Sequence, residues 1–106
     1  MPKFLVEASY SAEGIKGLNA EGGSARVAAT KALIESLGGT LECFYFAFGE
    51  TDAFIIVDLP DNVTVAAAQM AVNGSGTISS RTVVLLTPSE MDEAAKRDVA
   101  FHPPAG

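Results

Sequence analysis

Cysteine is nearly absent: Cys43 is the only one in 106 residues, so the chain can form no intrachain disulfide and has no cysteine cluster for zinc. Histidine is equally scarce. The single His102 stands beside Pro103 and Pro104, with no second His or nearby Cys to build a metal site, and reads as a solvated side chain. Positive charge is also short, with seven Lys and Arg against 13 Asp and Glu and a formal charge of −6. Nucleic acid and anionic membrane surfaces both require a basic footprint, so neither is expected as a partner. No apolar run approaches the roughly 20 residues that span a bilayer. The opening Met1-Pro2-Lys3-Phe4 lacks the basic region, apolar run and small-residue cleavage site of a signal peptide. The expectation is a soluble, cytoplasmic protein.

What the chain does have is apolar material. Hydrophobic residues make up 48%, enough for one domain of this length to build a core without metal or disulfide. Residues 1–100 read as that domain and 101–106 as a tail.

Residues 3–10 alternate, with Phe4, Val6, Ala8 and Tyr10 on one face and Lys3, Leu5, Glu7 and Ser9 on the other, which predicts a half-buried strand. Residues 11–23 carry four glycines and read as a loop with one helical turn around 15–18. Ser24 is the expected N-cap of a helix. In it Ala25, Ala28, Ala29, Ala32, Leu33 and Ser36 face the sheet, Arg26, Thr30 and Lys31 face away, and Gly38-Gly39 end it. Residues 40–48 and 53–59 predict two strands joined as a hairpin across Gly49-Glu50-Thr51-Asp52. Pro60 closes the second strand. Asp61 or Asn62 then caps a helix to about residue 72, and a fourth strand spans 78–86. Thr87, Pro88 and Glu90 form a capping-box signature for a last helix to about residue 99, with Asp92–Lys96 and Glu93–Arg97 at i,i+4.

The order β-α-β-β-α-β plus a terminal helix is the ferredoxin-like plan of the α+β class, an antiparallel sheet with two helices on one face. Strict alternation assigns Cys43, Tyr45, Ile55 and Val57 to the helix side. It leaves Leu5, Glu7, Phe44, Phe46, Phe48, Phe54, Ile56, Asp58, Arg81, Val83 and Leu85 on the open side. A patch with four phenylalanines calls for a cover. A second copy packed face to face would supply it and make a dimeric α+β barrel. The terminal helix folded back across the sheet is the other possible cover.

Three groups of residues could carry chemistry. Glu7, Asp58 and Arg81 fall on three strands of the open face. They read either as an ion-paired set fixing subunit register, or as a pocket with a carboxylate acid–base and an arginine clamp for an anionic substrate. Tyr10 and Tyr45 are candidate hydrogen-bond donors to a ligand, or rings buried with locally satisfied hydroxyls. Asp52 either accepts from turn N–H groups beside Gly49 or binds a ligand at the end of the sheet. Cys43 reads as a small core residue. Gly74-Ser75-Gly76 lacks a phosphate-loop lysine and reads as a plain loop. No cofactor is implied. RNA-recognition modules share this topology, but the acidic charge and the missing aromatic signature argue against RNA.

Gly49 and Asp52, the apolar strand 54–57 and Pro60-Asp61 resemble the GYD-domain family, whose hallmark is Gly-x-Tyr-Asp between strands two and three. Thr51 stands where that family has tyrosine. Gly14-Ile15-Lys16-Gly17 and the helix ending Leu37-Gly38-Gly39 are also similar, so the resemblance covers about residues 3–88. It implies a ferredoxin-like fold similar to dimeric α+β barrels, and no established activity or catalytic set. Two functions remain open from the sequence. One is a homo-oligomeric small-molecule-binding or assembly protein. The other, by fold analogy alone, is a cofactor-independent monooxygenase or isomerase.

Overall fold

The alternating segment Lys3–Tyr10 forms β1, and it lies inside the sheet rather than at its edge. A computed structural model describes residues 1–105 of the chain. After β1 come α1 (Ala12–Glu21), α2 (Gly23–Ser36), β2 (Thr40–Phe46), β3 (Ala53–Asp58), α3 (Asn62–Gly74), β4 (Ile78–Leu85) and α4 (Pro88–Ala95). The four strands are ordered β2-β3-β1-β4 with every neighbouring pair antiparallel. This is the ferredoxin-like arrangement of the α+β class.

The residues read as a loop between β1 and the first expected helix are instead the ten-residue helix α1. Ser11 caps it by accepting from the Gly14 N–H, a local bond that offsets the cost of its glycines. Gly14 is there for space, because a Cβ would lie 2.2 Å from the Thr77 carbonyl oxygen. The N-cap of α2 is Gly22, at φ 87°, and not Ser24. The end of α2 follows the expectation closely. Gly38 takes φ 81°, its N–H bonds to Glu35 O, and Gly39 N–H bonds to Ile34 O, the two bonds of a Schellman motif. Asp61 caps α3, and Thr87 with Glu90 completes a capping box on α4. Helix α4 stops at Ala95, short of residue 99, and the expected pairs Asp92–Lys96 and Glu93–Arg97 are not among the ion pairs of the described residues.

The largest correction concerns β2. Its pairing with β3 shifts between Leu41 and Cys43, a β-bulge at Glu42. One extra residue reverses the parity of everything after it. Phe44 and Phe46 therefore stand opposite Ile55 and Ala53 on the helix side, while Cys43 and Tyr45 stand opposite Ile56 and Phe54 on the open side. The Phe44 and Phe46 rings meet at 4.8 Å, and Phe46 lies against Gly23 at the start of α2. Phe48 falls outside β2, in the connection 47–52, fully exposed.

The core is Phe4, Ala8, Ile34, Ala53, Ile55, Val57 and Leu59. Helix α2 packs chiefly on β2 and α3 on β4, with no comparable contact between the two helices. Helix α4 has no substantial contact with any other element and does not cover the open face. Every described residue from Leu86 onward is exposed. This arm accounts for a radius of gyration of 16.9 Å, against about 13 Å for a compact chain of this length.

Two glycine substitutions test this packing in opposite directions. A Cβ on Gly39 would sit 2.2 Å from the Asp58 carbonyl oxygen and 2.7 Å from Leu59 Cδ2. Gly39→Ala is expected to cost about 2–3 kcal/mol in denaturant unfolding. Gly17 lies inside α1 with nothing within 4 Å of a new Cβ, so Gly17→Ala is expected to add about 0.5–1 kcal/mol.

Candidate functional site

The two helices that cover the sheet sit toward its opposite edges, and the space between them is a cavity of about 380 Å³. Its floor is the helix-side face of β1 and β3, Val6, Ala8, Ile55 and Val57, extended by Phe44 beyond the bulge. Small residues on the helices, Ala29 on α2 with Ala68 and Ala71 on α3, leave the interior open. Leu33, Ile34 and Val65 complete the apolar walls.

Few polar groups converge there. Thr82 on β4 donates to Gln69 Oε1 on α3 at 2.5 Å. Ser80 donates both its N–H and its hydroxyl to Asn73 Oδ1, at 2.9 and 2.8 Å, and is thereby satisfied. Among the described residues the one charged side chain lining the cavity is Arg26, whose Nε is buried without a hydrogen-bond acceptor among them. Its Nη1 is 3.8 Å from Glu21 Oε1, an ion pair too long to be a hydrogen bond. Tyr10 also lines the wall. Burial pushes its phenol above the ordinary value, Asp52 and Glu21 push the same way, and Arg26 opposes them.

Sequence reasoning missed Arg26 by placing it, with Thr30, on the outer face of α2. The inward stripe is instead Arg26, Thr30, Leu33, Ile34 and Leu37, while Ala25, Ala28 and Ala32 are exposed. The signal was present as the i, i+4, i+8 spacing of Arg26, Thr30 and Ile34. Two polar residues on the inner face and three alanines on the outer one erase the helix's amphipathic contrast.

The expected site residues separate into groups. Arg81 and Glu7 are paired at 3.7 Å on the open face. Asp58 lies at the other end of β1, bonded to Lys3 Nζ at 3.0 Å, and Lys3 also pairs with Glu42 from the bulge. Lys3 and Glu7 are four positions apart on β1, about 13 Å along the strand, with Leu5 between them on the same face. Tyr45 is 71% exposed on the open face, whereas Tyr10 lies on the cavity side. The open face thus brings Glu7 and Arg81 together and leaves Asp58 apart from them, and among the described residues no carboxylate lines the cavity.

Asp52 acts as a backbone N–H acceptor, but toward β1 rather than toward the turn beside Gly49. It ties the hairpin connection to the neighbouring strand: its Oδ2 accepts from the Tyr10 N–H at 2.8 Å, and its own N–H bonds to Ala8 O at 2.9 Å. Ser9 adds a bond to Glu50 O at 3.1 Å. The connection is thus held against β1, and with it the Tyr10 end of the cavity.

Sheet order, crossover helices on one face and a bare opposite face define an α+β protein of ferredoxin-like architecture. The chain belongs to the GYD domain family, whose model matches residues 4–95, a span that reaches through α4. Comparison with curated proteins and with solved structures yields no match. No helix among the described residues is long and apolar enough to cross a membrane.

The environment of Tyr10 has a measurable consequence. In a Tyr45→Phe variant Tyr10 is the only tyrosine left of two, and its phenol is expected to ionise above the ordinary value of 10.0 in an ultraviolet titration. The unfolded chain loses this proton first. The contribution to stability is therefore complete below pH 10 and lost as pH rises through the folded value.

Proposed function

We propose that this is a homo-oligomeric small-molecule-binding protein, with its ligand held between the sheet and α2 and α3 and its copies joined across the open sheet face. The cavity carries the reading. Its volume, about 380 Å³, falls within the roughly 300–1,000 Å³ of small-molecule sites, and it has their usual composition of apolar walls with a few convergent polar groups.

The open face supports association. Leu5, Cys43, Tyr45, Phe54, Ile56, Val83 and Leu85 share it, and no helix covers them. Most of its charges have a partner within one chain, Glu7 with Arg81 and Asp58 with Lys3, which Glu42 shares from the bulge. Paired ions of this kind lower the cost of bringing two such faces together, because an unpaired charge is what makes burial expensive. A two-fold pairing of this kind is a dimeric α+β barrel. A cytoplasmic setting suits the free thiol of Cys43, which reducing compartments preserve.

Binding is tested with 1-octanol as a neutral probe, followed by amide shifts in nitrogen-labelled protein. Residues of the cavity floor and of α2 and α3 are expected to move, and Ala68→Leu, which fills the space, is expected to weaken the effect at least about tenfold. Shifts confined to the open face, or none, would overturn the ligand site.

Association is tested separately by light scattering. The protein is expected to run as a dimer or larger. Val83 is 43% exposed in the single chain, so Val83→Glu leaves the fold intact while placing an unpaired charge in the interface. The expected result is a monomer, and an unchanged mass rejects this face as the interface.

A further inference from the structure

In a chain of net charge −6, the only charged one among the described residues lining the cavity is a cation, Arg26. Folding alone gives little reason for it. Arg26 stands one turn inside the N-terminal end of α2, where that helix's own dipole disfavours a cation. No acidic residue occupies the first turn to offset it. Its Nε–H is buried with no acceptor, a state more costly than having no polar group there at all. Glu21 lies within Coulomb range but too far for a hydrogen bond, and its side chain is 45% exposed, so water screens the pair.

These features coincide at one end of an apolar chamber. A guanidinium presents parallel N–H donors in a fork that matches a carboxylate. Gly22 is at once the C-cap of α1 and the N-cap of α2, so the two helix ends offset one another there and the guanidinium is the charge a ligand would meet. Tyr10 lines the same wall close enough to feel the Arg26 charge, and its hydroxyl is a further donor. The wall formed by Leu33, Phe44, Ile55 and Val65 is apolar and suits an apolar body.

We propose, resting on the ligand-binding reading above, that the ligand is a small amphipathic monoanion: a carboxylate on a short alkyl chain or a single apolar ring. Its head accepts from the Arg26 guanidinium, and its tail lies between Phe44, Leu33 and Val65. One cation and no second basic side chain on the wall select a single negative charge.

The test compares octanoate with 1-octanol, probes of equal chain length that differ at the head, on wild type, Arg26→Met and Arg26→Lys. Wild type is expected to bind octanoate about tenfold more tightly than the alcohol, the worth of one charge-assisted contact. Arg26→Met keeps the apolar stem and removes the buried donor. It is expected to bind both probes alike, with a melting temperature equal to or above that of wild type. Arg26→Lys keeps the charge without the fork and is expected to retain a reduced preference for octanoate. Equal affinities in wild type, or a full preference surviving in either variant, would overturn the anion assignment and leave the cavity as a neutral site. Failure of both probes to bind wild type would instead remove the ligand site itself, and the anion assignment with it.

Discussion

A single extra residue in β2 decides which side chains meet. Without the bulge at Glu42, alternation would carry Phe44 and Phe46 to the outer face and Cys43 and Tyr45 to the core. With it, two aromatic rings extend the helix-side surface, and the outer face receives a small thiol and an exposed phenol. The bulged residue itself is used, since Glu42 turns toward Lys3, which also holds Asp58 across the β1–β3 pair. Donating hydrogen bonds to the carboxylates of Glu42 and Asp58 raises the Lys3 ammonium above its ordinary value. The irregularity thus has its own local partner, as bulges that set the direction of side chains commonly do.

The cavity follows from where the helices can sit. Phe46 lies against Gly23, where a side chain would crowd the ring, and this fixes one end of α2 over β2. The Schellman turn at Gly38 and Gly39 brings the other end down against Asp58 and Leu59. Helix α3 is held on the far side through Asn73 to Ser80 and Gln69 to Thr82. With both helices fixed toward opposite edges of a four-stranded sheet, small residues facing the gap leave it unfilled. A cleft of this size between helices and sheet gives up contacts that larger side chains would recover. Arg26 adds a desolvated donor to the same account. Sites for ligands characteristically depart from the stability optimum in this way.

The backbone plan was largely legible in the sequence because it rests on local signals. Alternation marked β1, Gly38-Gly39 marked the end of α2, Asp61 marked α3, and Thr87, Pro88 and Glu90 marked α4. Helix α1 was not legible, because its glycines mimic a loop and its stability depends on the Ser11 cap and the close approach to Thr77. The face assignment of β2 failed because period-two reasoning assumes an unbroken ladder, and nothing in Leu41-Glu42-Cys43 distinguishes a bulge from a regular strand. The candidate site was the least legible part. Polar residues were sought on the bare face, where Glu7, Arg81 and Asp58 prove to be paired in separate clusters. Arg26 was passed over because an arginine on a helix normally faces water.

Stability is unevenly divided along the chain. The strands carry the long-range contacts and the whole buried core, apart from Ile34 and Leu59, whereas α4 depends on itself. Eight residues are fewer than the roughly 12–15 an isolated helix needs to be even marginal in water. What remains is the capping box, in which Thr87 Oγ1 accepts from the Glu90 N–H at 3.1 Å and Glu90 Oε1 accepts from the Thr87 N–H at 2.9 Å. That second bond holds the Glu90 carboxyl below its ordinary value. Its contribution is present above the unfolded value and declines as pH falls through the folded one, so acid weakens this helix through its cap while the core is insulated from the change. A segment so weakly anchored, yet bearing Met91, Val99 and Phe101 in the open, opens at far lower cost than the sheet it follows.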